Sequence, residues 1–126
     1  MQKNNKTTRQ IVLDTETTGL SSATGTLVFL IGIAVVSGEN LILEQMLLTR
    51  IDAEKYMLEW LNKKCFDKTH FISYNGKSFD IPLLENRFRM NRIKSHLCQH
   101  HIDLLHWIRR LRKCLIAVYP VLKSIA

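Results

Sequence analysis

Ile11-Val12-Leu13-Asp14-Thr15-Glu16-Thr17-Thr18-Gly19-Leu20 is the stretch on which the fold of this chain turns. The apolar run from Gln10 to Leu13 has the look of a short strand whose last residue, Asp14, emerges at the sheet edge. Residues two apart in a strand point to the same side, so Asp14 and Glu16 project together into one space. Two carboxylates held that close repel each other unless a cation lies between them, and hard oxygen ligands suit Mg²⁺ or Mn²⁺. An Asp-x-Glu alone is common. Its position after a buried apolar run and before Thr17-Thr18-Gly19 makes it specific.

Working outward, the turn-rich stretch Thr17 to Thr26 leads into Leu27 to Val36, β-branched and almost uncharged, as expected of a strand buried on both faces. Ser37-Gly38-Glu39-Asn40 supplies turn residues, and Leu41 to Leu48 follows as the hairpin partner. From Asp52 the period becomes helical: Asp52 is placed to cap, and Tyr56, Leu58, Trp60, Leu61 and Cys65 recur on one side. His70 to Tyr74 is a further strand, and Asn75-Gly76 a turn. Pro82 fits the first turn of a helix from Asp80 to Met90, His101 to Leu104 forms a last short strand, and a basic helix runs through Lys113. The order of three strands, helix, strand, helix, strand, helix predicts an α/β layout with a mixed sheet.

Asp80 follows a strand and opens a helix, so it can join the first two acids from a second strand end. Three carboxylates so delivered can share two metal ions about 4 Å apart, one activating water and one stabilising the departing oxygen of a phosphodiester. Taken alone, Asp80 would be a helix cap. Beside Asp14 and Glu16 it is a catalytic candidate.

At these residues the chain resembles a known family. Asp14-Thr15-Glu16-Thr17-Thr18-Gly19-Leu20 is similar to the first motif of the DEDD (DnaQ-like) 3′–5′ exonucleases, and Asn75-Gly76-x-x-Phe79-Asp80-x-Pro82-x-Leu84 to the second. With His101-Ile102-Asp103-Leu104-Leu105-His106 and the Arg-rich helix after it, the pattern most resembles the YprB-type ribonuclease H-like domain. It is also similar to the proofreading domain of family B DNA polymerases. The resemblance implies a ribonuclease H-like mixed sheet, with antiparallel strands 3-2-1 extended by parallel strands and flanked by helices. It implies hydrolysis of nucleic acid, DNA or RNA, from a 3′ end with two divalent cations, Mg²⁺ or Mn²⁺. Carried over by position, Asp14, Glu16 and Asp80 are catalytic metal ligands. Thr17, Thr18, Gly19 and Leu20 contact the terminal nucleotide, and Asn75 either joins them or shapes the turn.

The match has a gap. The family's fourth carboxylate lies in a later helix, preceded by a His or Tyr that serves as general base. After Glu85 the sole acid is Asp103, with Cys98 rather than His or Tyr five residues before it. Asp103 belongs to a segment that resembles the part before the third motif, and its expected role is structural, hydrogen-bonding near the sheet edge. Val121 to Ala126 resembles the start of another helix without a cap, so residues 1–126 are expected to form one domain truncated before the third exonuclease motif. Loss of a metal ligand and a general base predicts weak or absent turnover. The alternative to a nuclease is therefore a catalytically inactive nucleic-acid-binding domain.

Composition agrees with a single globular unit: 126 residues with 46% apolar side chains can bury a core. No run of roughly 18 apolar residues is present to span a bilayer, and the polar, basic start lacks the pattern of a signal peptide. A soluble cytoplasmic protein is the expectation. Cys65, Cys98 and Cys114 are odd in number and widely spaced, which fits reduced thiols and gives them no role.

The net charge of +7 is concentrated: residues 86–126 hold nine Lys or Arg and one acid, whereas the rest is close to neutral. Such a block attracts phosphates or forms a solvated helix face. Arg87, Arg89, Arg92 and Lys94, then Arg109, Arg110, Arg112 and Lys113, are the candidates for phosphate contacts, the last four above all. Trp107 among them is expected in the core, beside Leu105, Ile108 and Leu111, with base-stacking as the lesser alternative. His96, Cys98, His100, His101 and His106 have zinc-ligand chemistry, but their spacing matches no regular zinc motif.

Overall fold

The computed structural model describes residues 9–19 and 25–125. The elements in order are β1 (Gln10–Thr17), β2 (Val28–Ser37), β3 (Asn40–Leu47), α1 (Glu54–Cys65), β4 (His70–Ser73), α2 (Asp80–Met90), β5 (His100–Asp103) and α3 (Leu104–Ile125). They build one five-stranded sheet in the order β3-β2-β1-β4-β5. The β1–β2 and β2–β3 pairs are antiparallel, and the β1–β4 and β4–β5 pairs are parallel. This is the mixed ribonuclease H-like sheet that the sequence leads one to expect.

Side-chain alternation along β1 divides the sheet into two unlike faces. Ile11 and Leu13 are buried, whereas Val12, Asp14 and Glu16 point the other way and are exposed. On the inner face, Ile11, Leu13, Ile31, Ile33 and Phe71 meet two helices. Helix α1 contributes Met57, Leu58, Leu61 and Cys65, spaced to form one stripe, and α2 contributes Leu83, Leu84 and Phe88. Each large side chain buried this way stabilises the fold by roughly 1.5–3 kcal/mol, so this one cluster dominates the favourable energetics.

Both helical stripes include a charge. Glu54 and Arg87 are buried and meet as a bidentate pair, with Arg87 Nε 2.5 Å and Nη2 2.7 Å from the two carboxylate oxygens. The Asn91 amide donates a third bond to Glu54. Arg87, expected among the phosphate-binding cations, is thus committed to joining α1 and α2. Its place in the apolar stripe, one residue before Phe88, explains the difference.

Other expectations shift as well. Strand β1 runs on to Thr17, so Asp14 and Glu16 lie inside it, opposite Gly32 and Leu30 of β2, rather than at its end. Strand β2 is not buried on both faces: Val36 is 75% exposed, and Val12, Leu41, Leu43 and Leu47 on the same outer face are open too. No described element covers that face. Asp52 makes no capping bond; it pairs with Arg50 in the short 3-10 turn before α1. Tyr56 lies outside the core, which takes Met57 instead.

The basic helix does not stop near Lys113 with a new one starting at Val121. Helix α3 is a single helix of 22 residues that passes through Pro120. Its apolar residues Leu104, Trp107, Ile108, Leu111 and Ile116 are exposed, which overturns the expectation that Trp107 belongs to the core. Trp107 is 58% exposed and is not part of the core cluster that α1 and α2 build on the sheet. Among the described residues no helix is long and apolar enough to cross a membrane.

Candidate active site

The site begins with β1. Its pleat turns Asp14 and Glu16 to the open face, and Gly32, paired with Asp14, has no side chain to fill the space beside them. A Cβ at Gly32 would lie 3.8 Å from the Asp14 carbonyl oxygen. Between the two acids, Thr15 points to the opposite face and donates its hydroxyl to a carboxylate oxygen of Asp80, the first residue of α2.

Asp80 is half-buried and its carboxyl titrates above the ordinary aspartate range. Burial is the main cause. The Thr15 hydrogen bond pulls the other way, and the negative charges of Asp14, Asp103 and Glu16 add to the rise. Three predicted acids and one further acid therefore share one electrostatic neighbourhood. They do not close into a ligand shell: among the described residues no three His, Cys, Asp or Glu side chains converge on a single metal position.

The loop that delivers Asp80 is held by β5. Asp103 is buried, and its carboxylate accepts hydrogen bonds from the backbone N–H groups of Asn75 at 2.7 Å, Lys77 at 3.2 Å and Leu105 at 3.0 Å. The bond to Leu105 also caps α3. Burial alone would raise this carboxyl, yet these N–H donors, with His106 nearby, hold it below the ordinary range. The expected structural role of Asp103 at the sheet edge has here a specific form, the bracing of residues 75–77.

Asn75 adopts a left-handed conformation with φ of 61° in the turn after β4, a backbone region that Asn tolerates better than most residues. Gly76 is required by close approach: a Cβ there would lie 2.7 Å from Ser73 Cβ and 3.1 Å from Asp80 Oδ2. Its N–H donates to Ser73 Oγ, which sits 2.6 Å from His101 Nε2. Ser73, His101 and Asp103 invite comparison with a hydrolytic triad. Ser73 is only 2% exposed and cannot reach a substrate, so the group is a brace. Burial, with Lys77 adding to it, keeps His101 below the usual imidazole range despite Asp103.

Thr17, Thr18 and Gly19 begin the next turn. The Thr17 hydroxyl donates to the Gly19 carbonyl at 2.5 Å, and Thr18 Oγ1 accepts from the Leu27 N–H at 3.0 Å. Their side chains thus close the turn beside Glu16. Leu20, expected at the terminal nucleotide, lies outside the described residues. Arg109, Arg110, Arg112 and Lys113 are all exposed on α3.

Arg110 does reach the site's margin: with Lys77, Asp103, His106 and Trp107 it lines a cavity of about 350 Å³ between β5 and the start of α3. Lys77 is the member that sequence reasoning missed there, and Trp107 stands exposed in the cavity rather than in the core. The five candidate zinc residues disperse. His101 meets Ser73, His100 stacks on His70, His96 faces Phe66, Cys98 meets Cys65, and His106 stands 4.0 Å from Asp103.

Fold and sequence together define the class. Residues 11–126 match the RNase_H superfamily, and the chain belongs to it. Within that class the chain is 36% identical over 102 residues to the uncharacterized protein YprB of Bacillus subtilis, a match covering 79% of this chain and 24% of YprB. The chain thus spans about a quarter of that relative's length. Among solved structures it is similar to E. coli exonuclease I in its zinc-bound complex with single-stranded DNA, at a TM-score of 0.69 and 18% identity over 90% of this chain and 30% of that one. A complex of E. coli exonuclease I with a dT13 oligonucleotide gives 0.67 at the same identity and the same coverage of this chain. At this identity the likeness is one of fold.

Proposed function

We propose that this chain is the nuclease core of a DEDD-type enzyme, hydrolysing phosphodiester bonds of DNA or RNA from a 3′ end. The observation that supports it is the placing of Asp14 and Glu16 side by side on the open face of β1, with Asp80 electrostatically coupled to them from the tip of α2. Crowded carboxylates of this kind are costly unless a cation neutralises them. The oxygen donors fit Mg²⁺ or Mn²⁺ in kind, and Asp14, Glu16 and Asp80 are the residues that would hold two such ions. When bound, divalent cations activate water and stabilise the leaving oxygen.

The chain's own residues supply the positioning. Thr15 holds Asp80 against β1, and Asp103 fixes the loop from which Asp80 projects. The Thr17–Gly19 turn borders Glu16, where a terminal nucleotide would lie. Lys77 and Arg110 offer cations for phosphate beside Trp107, whose exposed ring gives a base a stacking surface. The complexes of exonuclease I with single-stranded DNA and with an oligonucleotide favour a single strand as the substrate form.

A second reading is a domain of this superfamily that binds nucleic acid without turnover. It is favoured by the missing convergence of three metal-ligating side chains among the described residues. Calorimetry of Mn²⁺ binding to the chain and its Asp14→Ala variant, followed by digestion of a 5′-labelled oligonucleotide, separates the two. Binding and stepwise 3′ shortening that both vanish in Asp14→Ala establish the nuclease. Oligonucleotide binding without Mn²⁺ binding or shortening in either protein establishes the second reading.

A further inference from the structure

We propose that Cys65 and Cys98 form a peroxide-responsive modification site, closing reversibly into a disulfide that ties the end of α1 to the loop before β5. The two residues are 33 positions apart, yet they line the same cavity of about 280 Å³. Cys65 is the last residue of α1 and is 1% exposed, whereas Cys98 packs against the core from the loop and is partly open to solvent. Each thiol is the largest influence on the ionisation of the other, as close neighbours in one cavity are.

The pair is asymmetric in the way stepwise oxidation needs. Cys65, beside the Cys98 sulfur and buried, is pushed well above the usual thiol range and keeps its proton. Cys98, partly open to solvent with the Cys65 sulfur beside it and the Lys68 ammonium nearby, ionises more readily than an ordinary thiol. A thiolate that solvent can reach is the nucleophile toward peroxides. Cys98 sulfur would attack one oxygen of a hydroperoxide, breaking the O–O bond. The departing alkoxide or hydroxide takes up a proton, leaving a sulfenic acid on Cys98. Cys65 sulfur then attacks Cys98 sulfur and displaces hydroxide, which leaves as water with the Cys65 proton. Two thiols and one hydroperoxide thus give one disulfide, one water and one alcohol or second water.

Rival fates of the pair lack support on the same ground. A soft metal needs further ligands, and among the described residues no third His, Cys, Asp or Glu joins the two sulfurs. Cys114 is exposed on α3 and belongs to a different part of the molecule. The link would restrain the segment leading to His100 and hence to Asp103, whose carboxylate braces the loop of Asp80. It would therefore act on the candidate site's support while leaving its acids untouched.

The test uses the full chain carrying Cys114→Ser, which removes an exposed thiol and no core contact. One equivalent of hydrogen peroxide should lower the free-thiol count, read under denaturant, from two to near zero in a protein that stays monomeric on a non-reducing gel. A non-reducing tryptic digest should then contain Cys65–Lys68 joined to Ser95–Arg109, and dithiothreitol should restore both thiols. Two thiols surviving that treatment, dimers joined through Cys98, or oxidation stopping at Cys98 sulfinic acid would each overturn the proposal.

Discussion

The Thr15 hydroxyl donates a hydrogen bond to the Asp80 carboxylate, tying the middle of β1 to the first residue of α2 across 65 positions of sequence. The bond only partly offsets what burial and three neighbouring acids do to Asp80, whose carboxyl stays above its ordinary range. A carboxyl raised on folding contributes stability that is complete below its unfolded pKa and is lost as pH rises through the folded value. At neutral pH the charge is therefore a liability to the fold. Asp80→Asn keeps an oxygen for Thr15 and removes the charge, so it should raise stability by on the order of 0.5–1 kcal/mol at pH 7. The gain should vanish at pH 3, where both side chains are neutral. Thermal unfolding at the two pH values checks this; an Asn variant that melts lower at pH 7 would show that the charge is already compensated.

Asp103 should behave in the opposite sense. Its carboxyl is lowered on folding, so the stability it contributes is present above its unfolded pKa and lost as pH falls through the folded value. Three backbone N–H groups lose their acceptor in Asp103→Ala, and the expected loss is about 3 kcal/mol at neutral pH. Denaturant titrations at pH 7 and at strongly acid pH should show the gap between parent and variant narrowing in acid. An equal gap at both would mean that the brace works through shape and not through charge.

The Glu54–Arg87 pair lies inside the apolar stripes of two helices, so each partner alone is a buried charge. Glu54→Ala or Arg87→Ala should each cost about 3–5 kcal/mol. Replacing both with Leu and Met should cost far less than the sum of the single changes, because no charge is then stranded. A double-mutant cycle in urea gives the coupling directly. Additive losses would place the pair's value in packing alone.

The sequence makes the sheet legible because its strands are short apolar runs set off by turn residues, and α2 legible to the residue because Asp80 and Pro82 mark its start. Asp14, Glu16 and Asp80 stand out for the same local reason. What is not legible is contact between distant segments. Nothing near Thr15 announces Asp80, and nothing near Glu54 announces Arg87, which looks like one more basic residue on a basic segment. Trp107 shows the limit of periodicity. Its helical spacing with Leu111 is that of a core stripe, but whether a stripe is covered depends on where the helix leaves the sheet. The open outer face of β2 escapes detection likewise, since a run of β-branched residues looks the same whether one or both faces are packed.

Lys77, Arg110 and Trp107 are placed to separate charge from stacking in nucleic-acid binding. A cation that neutralises one phosphate releases counterions, so its loss reduces the dependence of log affinity on log salt by about 0.7 for a single strand. A ring that stacks on a base contributes affinity that salt scarcely touches, on the order of 1–3 kcal/mol. Lys77→Ala and Arg110→Ala should therefore each weaken binding of a labelled oligonucleotide and flatten its salt response. Trp107→Ala should weaken binding with the slope unchanged. Lys77 spends its backbone N–H, not its ammonium, on Asp103, so the Ala variant leaves the brace in place. Fluorescence anisotropy across a salt series measures both quantities at once. If all three variants match the parent in affinity and slope, the cavity beside β5 is not on the path of the strand, and the exposed cations further along α3 would have to provide the phosphate contacts.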